Sequence, residues 1–323
     1  MAHAQPDPDA LAVGVGGTFA KPKIIPRLDK LGIAQVSVDF KQVTSKSVMK
    51  NEKKATIFGK ANVASATASL TAYLETTDGE LTDADYQEVA DHLYYYLQSR
   101  LKENGIDTVA WSTITATDFY KDGKEASESA AGEEEKKNGQ SWVSYSAFRG
   151  NSMYNGGPTV FAFGKIKKAS NFAESIGAPA AFFHTTVDFV EILIDLDVRT
   201  HRSYQYYDPT DVTVYKSQTQ AGALMKVPAN GGLTLFWNEK SQAEMLTIAK
   251  DIPAGVKLES TVSQDPARAE KRSKLFAIYL SKKMESVPIV ISTTREQYKM
   301  AAKKALEQYA DDFIAKVKAM KKD

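Results

Sequence analysis

The stretch AQVSVDFKQV at residues 34–43 alternates without a break. Ala34, Val36, Val38 and Phe40 take one side, and Gln35, Ser37, Asp39 and Lys41 the other. A period of two belongs to a strand with one buried face. ATASLTAYLE at 66–75 repeats it, with Ala66, Ala68, Leu70, Ala72 and Leu74 opposite Thr67, Ser69, Thr71 and Tyr73. Its small residues predict close packing against a helix. The period then changes to between three and four. Thr82 and Asp85 form a capping box, and Tyr86, Val89, Ala90, Leu93, Leu97 and Leu101 make one apolar stripe, stopped by Asn104-Gly105. A short strand at 107–111 follows, so residues 66–111 read as a strand–helix–strand unit.

Farther along, Ser170 is placed to cap a short helix that Gly177 stops. The apolar run after it, from residue 178, is long for one strand, and its phase flips. Phe183, Val187 and Phe189 are apolar at odd positions, whereas Val190, Ile192, Ile194, Leu196 and Val198 are apolar at even ones. A flip at Phe189–Val190 is what a bulge produces. Residues 217–237 read as a hairpin turning at Asn230-Gly231-Gly232. Ser241 and Glu244 read as a capping box for a short helix ended by Pro253, and Asp265-Pro266 opens another helix with Leu275, Phe276, Tyr279 and Leu280 on its stripe. VPIVIS at 287–292 is a strand that Pro288 assigns to an edge. Thr294 and Gln297 then cap a final helix whose stripe is Tyr298, Ala302, Ala305, Tyr309, Phe313 and Val317. Lys316, Lys318, Lys321 and Lys322 complement its C-terminal end.

These elements predict an α+β fold, with a mixed or mainly antiparallel sheet packed by helices. Residues 1–33 read as an extended N-terminal segment whose first ten are disordered, and 34–323 as one domain. A solvated, flexible insertion is expected near 121–158, because KDGKEASESAAGEEEKKNGQS lacks any large apolar side chain.

Charge and composition narrow the function. Lys and Arg number 41 against 40 Asp and Glu. That balance argues against nucleic acid as a partner, which needs a clustered basic face. Lys46, Lys50, Lys53, Lys54 and Lys60 form a local run that reads as a solvated loop. No cysteine is present, which removes disulfides, thiolate ligands and a cysteine nucleophile. AHA before QPDPD resembles the end of a secretory cleavage site, so an exported protein is the expectation, with an ordinary disordered N-terminus as the other reading.

Candidate chemistry is sparse. Glu191, Asp195, Asp197, Arg199 and His201 share the odd face beyond the phase flip. Such a row is the solvated side of an antiparallel strand; alternatively Asp195 and Asp197, with His201, are positioned to hold a hard cation. A metal-assisted hydrolase is the enzymatic alternative on those residues. His92 reads as a helix-border residue and His184 as a satisfied strand residue. No Gly-x-Ser-x-Gly or His-x-x-x-His motif occurs. No catalytic residue and no cofactor is assigned. Tyr94, Tyr95 and Tyr96 cover most of a helix circumference. With Trp142, Tyr206 and Tyr207 they mark an interface for a protein partner or for self-association.

The order of parts, ADHLYYYLQSRLKENGIDTVAW and then ESIGAPAAFFHTTVDFVEI before an Ala- and Lys-rich last helix, resembles the curli-secretion lipoprotein family and the N-terminal domain of TolB-like bacterial envelope proteins. Leu101 to Gly105 and Ile176-Gly177-Ala178 match the helix-to-strand turns of that family, over roughly residues 66–120 and 170–215 plus the last helix. The resemblance implies a non-enzymatic periplasmic, outer-envelope or secreted domain with an assembly or binding role. The family's lipidated cysteine is missing, so membrane association stays open. No amphipathic hairpins stand out, so pore formation does not carry over.

Overall fold

The computed structural model describes residues 5–15, 21–56, 59–127, 134–137, 139–150, 163–205, 208–229, 231–237, 242–265, 267–268 and 286–322. The strand read from 34–43 is part of a far longer one. β2 (Lys30–Thr56) doubles back as β3 (Gly59–Thr76), paired from Val43↔Tyr73 out to Thr56↔Gly59. The helix read from the Tyr86 stripe is α1 (Asp83–Glu103), and its capping box is complete: the Asp85 amide donates to the Thr82 hydroxyl, and the Asp85 carboxylate accepts from the Thr82 amide. Gly105 closes the helix at φ 70°, a conformation that a side chain disfavours. β4 (Asp107–Thr108) follows, but it pairs in parallel with β2 and not with β3.

α2 (Trp111–Thr115) and α3 (Asp118–Ser127) lead into β5 (Glu134–Lys137) and β6 (Gln140–Ser146). Part of the expected insertion is therefore folded. β6 pairs antiparallel with β2 and buries Val143 and Tyr145, an alternation the charged stretch before it hides. Residues 128–133 and 151–162 lie outside the description. α4 (Phe163–Ser175) begins seven residues before Ser170, which is buried inside the helix and does not cap it; Gly177 stops the chain at φ 64°.

β7 (Ala180–Gln205) pairs in parallel with β2 as far as Phe40↔Val187, then shifts register between Asp188 and Val190, at the phase flip. From there it forms a hairpin with β8 (Asp208–Val227). The 217–237 hairpin is thereby corrected. β9 (Gly232–Trp237) pairs with β7 and with β10 (Gln242–Ile248), while β8 is committed to β7. β10 replaces the helix read from Ser241 and Glu244. Glu244, Leu246 and Ile248 are all buried on one face, a period of two that outweighs the capping pattern. β1 (Leu11–Val15) pairs with β10, so this part of the N-terminal segment belongs to the sheet. Ala10 is buried, and the Asp7 amide donates to Asp312 Oδ1 at 2.8 Å.

β11 (Ile252–Pro253) and β12 (Thr261–Ser263) precede β13 (Ser286–Thr293), which runs parallel to β3. β12 covers β13 only at Val290–Ser292, so Pro288, read as an edge residue, has no strand on its outer side among the described residues. Of the helix read after Asp265-Pro266, Ala267 and Arg268 are described and are helical, with the Ala267 amide donating to Asp265 Oδ1 at 2.9 Å; the Leu275 to Leu280 stripe falls outside the described residues. The last helix, α5 (Arg295–Lys322), buries the whole stripe from Tyr298 to Val317. Together α1 and α5 cover one face of the mixed sheet, with Phe183 edge-on to Phe313 at 5.5 Å, while α4 and α2 cover part of the other around Phe172 and Phe182.

The sheet divides at one place. β6 lies on one side of β2 at both Phe40 and Val43. The opposite side is held first by β7, up to Phe40, and then by β3, from Val43. β7 thus leaves β2 and β3 takes over its edge, producing a fork from which two long ribbons, β2/β3 and β7/β8, extend. β3 is rich in Ser, Thr and Ala, which blurs its alternation, and the bulge at Asp188–Val190 interrupts that of β7, so neither hairpin stands out in the sequence.

Candidate functional site

The acidic row lies on the β7/β8 ribbon. Val190, Ile192, Leu196 and Val198 turn inward and are buried, and β7 packs along β3. Glu191, Asp195 and Arg199 turn outward and are exposed. Asp197 already has cations: Arg199 Nε at 2.7 Å and Lys50 Nζ of β2 at 3.5 Å. Partial burial opposes its charge, but Arg199 and Lys50 outweigh that and hold the carboxyl below its usual range. His201 pairs along the backbone with Val212, and its side chain lies outside the described residues. Among the described residues no three His, Cys, Asp or Glu side chains converge as a metal site would require. Glu191, Asp195 and Arg199 thus lie on the outer face of a ribbon stacked on its neighbour, and Asp197 ties it to β2.

The tyrosine cluster separates into three environments. Tyr94 is 3% exposed and packs edge-on to Trp111 and Phe148, which corrects its assignment to an interface. Tyr96 donates to Asp311 of α5 at 3.0 Å. Tyr95, at 58% exposure, is the one of the three that faces solvent. The helical period explains the split, since three consecutive residues span about 200° of circumference. Trp142 is half-buried on β6. Tyr206 and Tyr207 fall outside the described residues.

The two histidines whose side chains are described, His92 and His184, each meet a carboxylate. His92 Nε2 meets Glu307 Oε1 at 2.9 Å, joining α1 to α5. His184 Nε2 lies 3.1 Å from Asp39 Oδ2, and the Ser144 hydroxyl donates to Asp39 Oδ1 at 2.6 Å. A serine triad needs the imidazole between serine and carboxylate. Here the carboxylate lies between the other two, so the arrangement does not activate the hydroxyl. A groove of about 590 Å³ at the base of the sheet is lined by Lys23, Arg27, Lys30, Asp29, Asp107 and Trp237, among others, and its lining contains no Ser, Thr, Cys or His.

The built site is the fork, and sequence reading missed its central residue. Asp188 is 4% exposed. Its carboxylate accepts from Lys41 Nζ at 3.1 Å, from the Thr44 hydroxyl at 2.8 Å and from the Val190 amide at 3.4 Å. Farther out, Lys46 Nζ donates to the Ile192 carbonyl at 2.8 Å. Two members of the lysine run therefore tie the ribbons together. At the root of β8, Lys226 pairs with Asp251 at 2.5 Å. The phase flip at 189–190 was the available signal, because a strand that changes partners must also satisfy the backbone it frees.

Outside the fork the ribbons have open edges. Beyond Val43, β2 pairs with β3 alone; β3 has no outer neighbour from Gly59 to Ala68; and β8 meets β11 only at Lys226 and Val227, all among the described residues. Comparison with family models, with curated proteins and with solved structures returned no match.

Proposed function

We propose that this protein is a non-enzymatic assembly protein of the bacterial envelope that self-associates through its two ribbons. The observation that carries the reading is the pair of two-stranded ribbons whose outer edges are open among the described residues. From Val190 to Gln205 the second ribbon is about 50 Å long. Exposed edges of that length are templates for pairing, and proteins normally cover or charge them. Leu193 and Met49, at 53% and 66% exposure, add apolar contact area on outward faces. The envelope assignment follows the family resemblance. Support for it is that Leu101–Gly105 ends α1 just before β4, and Ile176–Ala178 ends α4 just before β7. No described helix is long and apolar enough to cross a membrane, which says nothing of strands. The hydrolase alternative gains no support, since Asp197 is ion-paired with Lys50 and Arg199.

The test is molar mass by light scattering across a concentration series, with and without detergent. A companion variant shortens the second ribbon at the Ile194↔Thr219 pair and closes it with Asn-Gly. The full chain is expected to form a defined oligomer and the shortened chain to remain a folded monomer. A full chain that stays monomeric throughout overturns the proposal.

A further inference from the structure

We infer that copies of this chain associate by exchanging β7/β8 ribbons at the fork, each ribbon leaving its own β2/β3 and stacking on that of a second copy. The inference rests on the self-association proposed above and adds how it occurs. The inward face of the ribbon is apolar and covered, with Val190, Ile192, Leu196 and Val198 at 1%, 5%, 5% and 6% exposure. Past Asp188 the ribbon makes no strand pairing with β2, so it is held by stacking and a few polar ties. The surface known to fit that face is the chain's own β2/β3 ribbon. A second copy carries the same surface, so exchange replaces each contact with an identical one and requires only a hinge.

The hinge is already formed. β7 shifts register between Asp188 and Val190, at the point where it leaves β2, and β2 has its own irregularity between Lys41 and Val43 in its pairing with β6. The ties across the fork act as a clasp. Opening removes Lys41 and Thr44 from a carboxylate that is 4% exposed, and separates Lys46 from the Ile192 carbonyl. A buried charge left without its partner is costly, so the clasp makes exchange slow while leaving its end state undisturbed.

The 323-residue chain has no cysteine, which makes a proximity test clean. Lys50→Cys and Asp197→Cys are prepared as separate single variants, mixed at high concentration and treated with a short bismaleimide. Those two side chains are 3.5 Å apart in the stacked arrangement. Exchange predicts a mixed covalent dimer in roughly tenfold excess over either homodimer, and an Asp188→Asn change made in both variants speeds its appearance about tenfold. Assembled chains whose cross-links show no excess of the mixed dimer overturn the exchange and leave self-association standing. Chains that do not assemble at all overturn both. If Asp188→Asn fails to fold, the mixed cross-link in the two single variants still decides the question.

Discussion

Glu244 shows how one buried carboxylate organises a segment far away in the chain. It is 1% exposed, and its two oxygens accept the amides of Lys23, Ile24 and Ile25. Glutamine retains the shape but loses the charge and turns an amide donor towards N–H groups. Glu244→Gln is therefore expected to cost about 2 kcal/mol, as for hydrogen bonds to a charged group. Urea unfolding measures the loss, and hydrogen exchange should show the amides of 23–25 opening before the sheet; equal protection in both proteins would refute the role. Tyr309 is the opposite case. Its ring is fully buried against Phe183, and its hydroxyl has no hydrogen-bond partner among the described residues. Burial alone pushes its ionisation far above the usual tyrosine value. Tyr309→Phe removes an unsatisfied group without changing the ring, so a gain of about 1 kcal/mol is expected. A lower melting temperature would instead reveal an ordered water bound to that oxygen.

Between α1 and α5, packing and charge act along the same seam. Arg295 and Lys299 of α5 reach Asp85 at 2.6 and 3.4 Å, Arg100 reaches Asp311 at 2.6 Å, and both Lys299 and Lys303 reach Glu88. Asp85 belongs at once to the α1 cap and to this seam. Burial opposes its ionisation, but the Thr82 amide and hydroxyl and the Arg295 guanidinium outweigh that and hold its pKa at about 2, against the usual 3.8. A lowered folded-state value stabilises the fold above the unfolded pKa, and the effect is lost as pH falls through the folded one. Between pH 4 and pH 2 the protein should lose about 2 kcal/mol through this group. Asp85→Asn should flatten that part of the stability profile; an unchanged acid limb would assign it to other carboxylates. The two longest helices were legible for the same reason. Each has a side-chain cap and a stripe that buries against one face, so local and tertiary preferences agree.

Across the whole molecule, what could be read and what could not divides along physical lines. The α+β class followed from alternation giving way to helical period, and the bulge in β7 from a change of phase. Partner choice did not follow, because alternation states which face is buried and not which strand lies alongside. That is why β8 was assigned to β9, and why the Ser241–Glu244 pattern was taken for a cap when Glu244 belongs to a strand. The fork was invisible for a related reason: Asp188, Lys41 and Thr44 meet only once β7 has left β2.

β2 has a mechanical consequence as well. It is one continuous 27-residue strand that neighbours β4, β7 and β6 near its start and β3 along its outer half. Tension applied at the far end of the first ribbon is therefore carried along a single backbone into the centre of the body. There the rungs joining it to β6 and β7 are loaded in shear, all together, and do not peel apart one at a time.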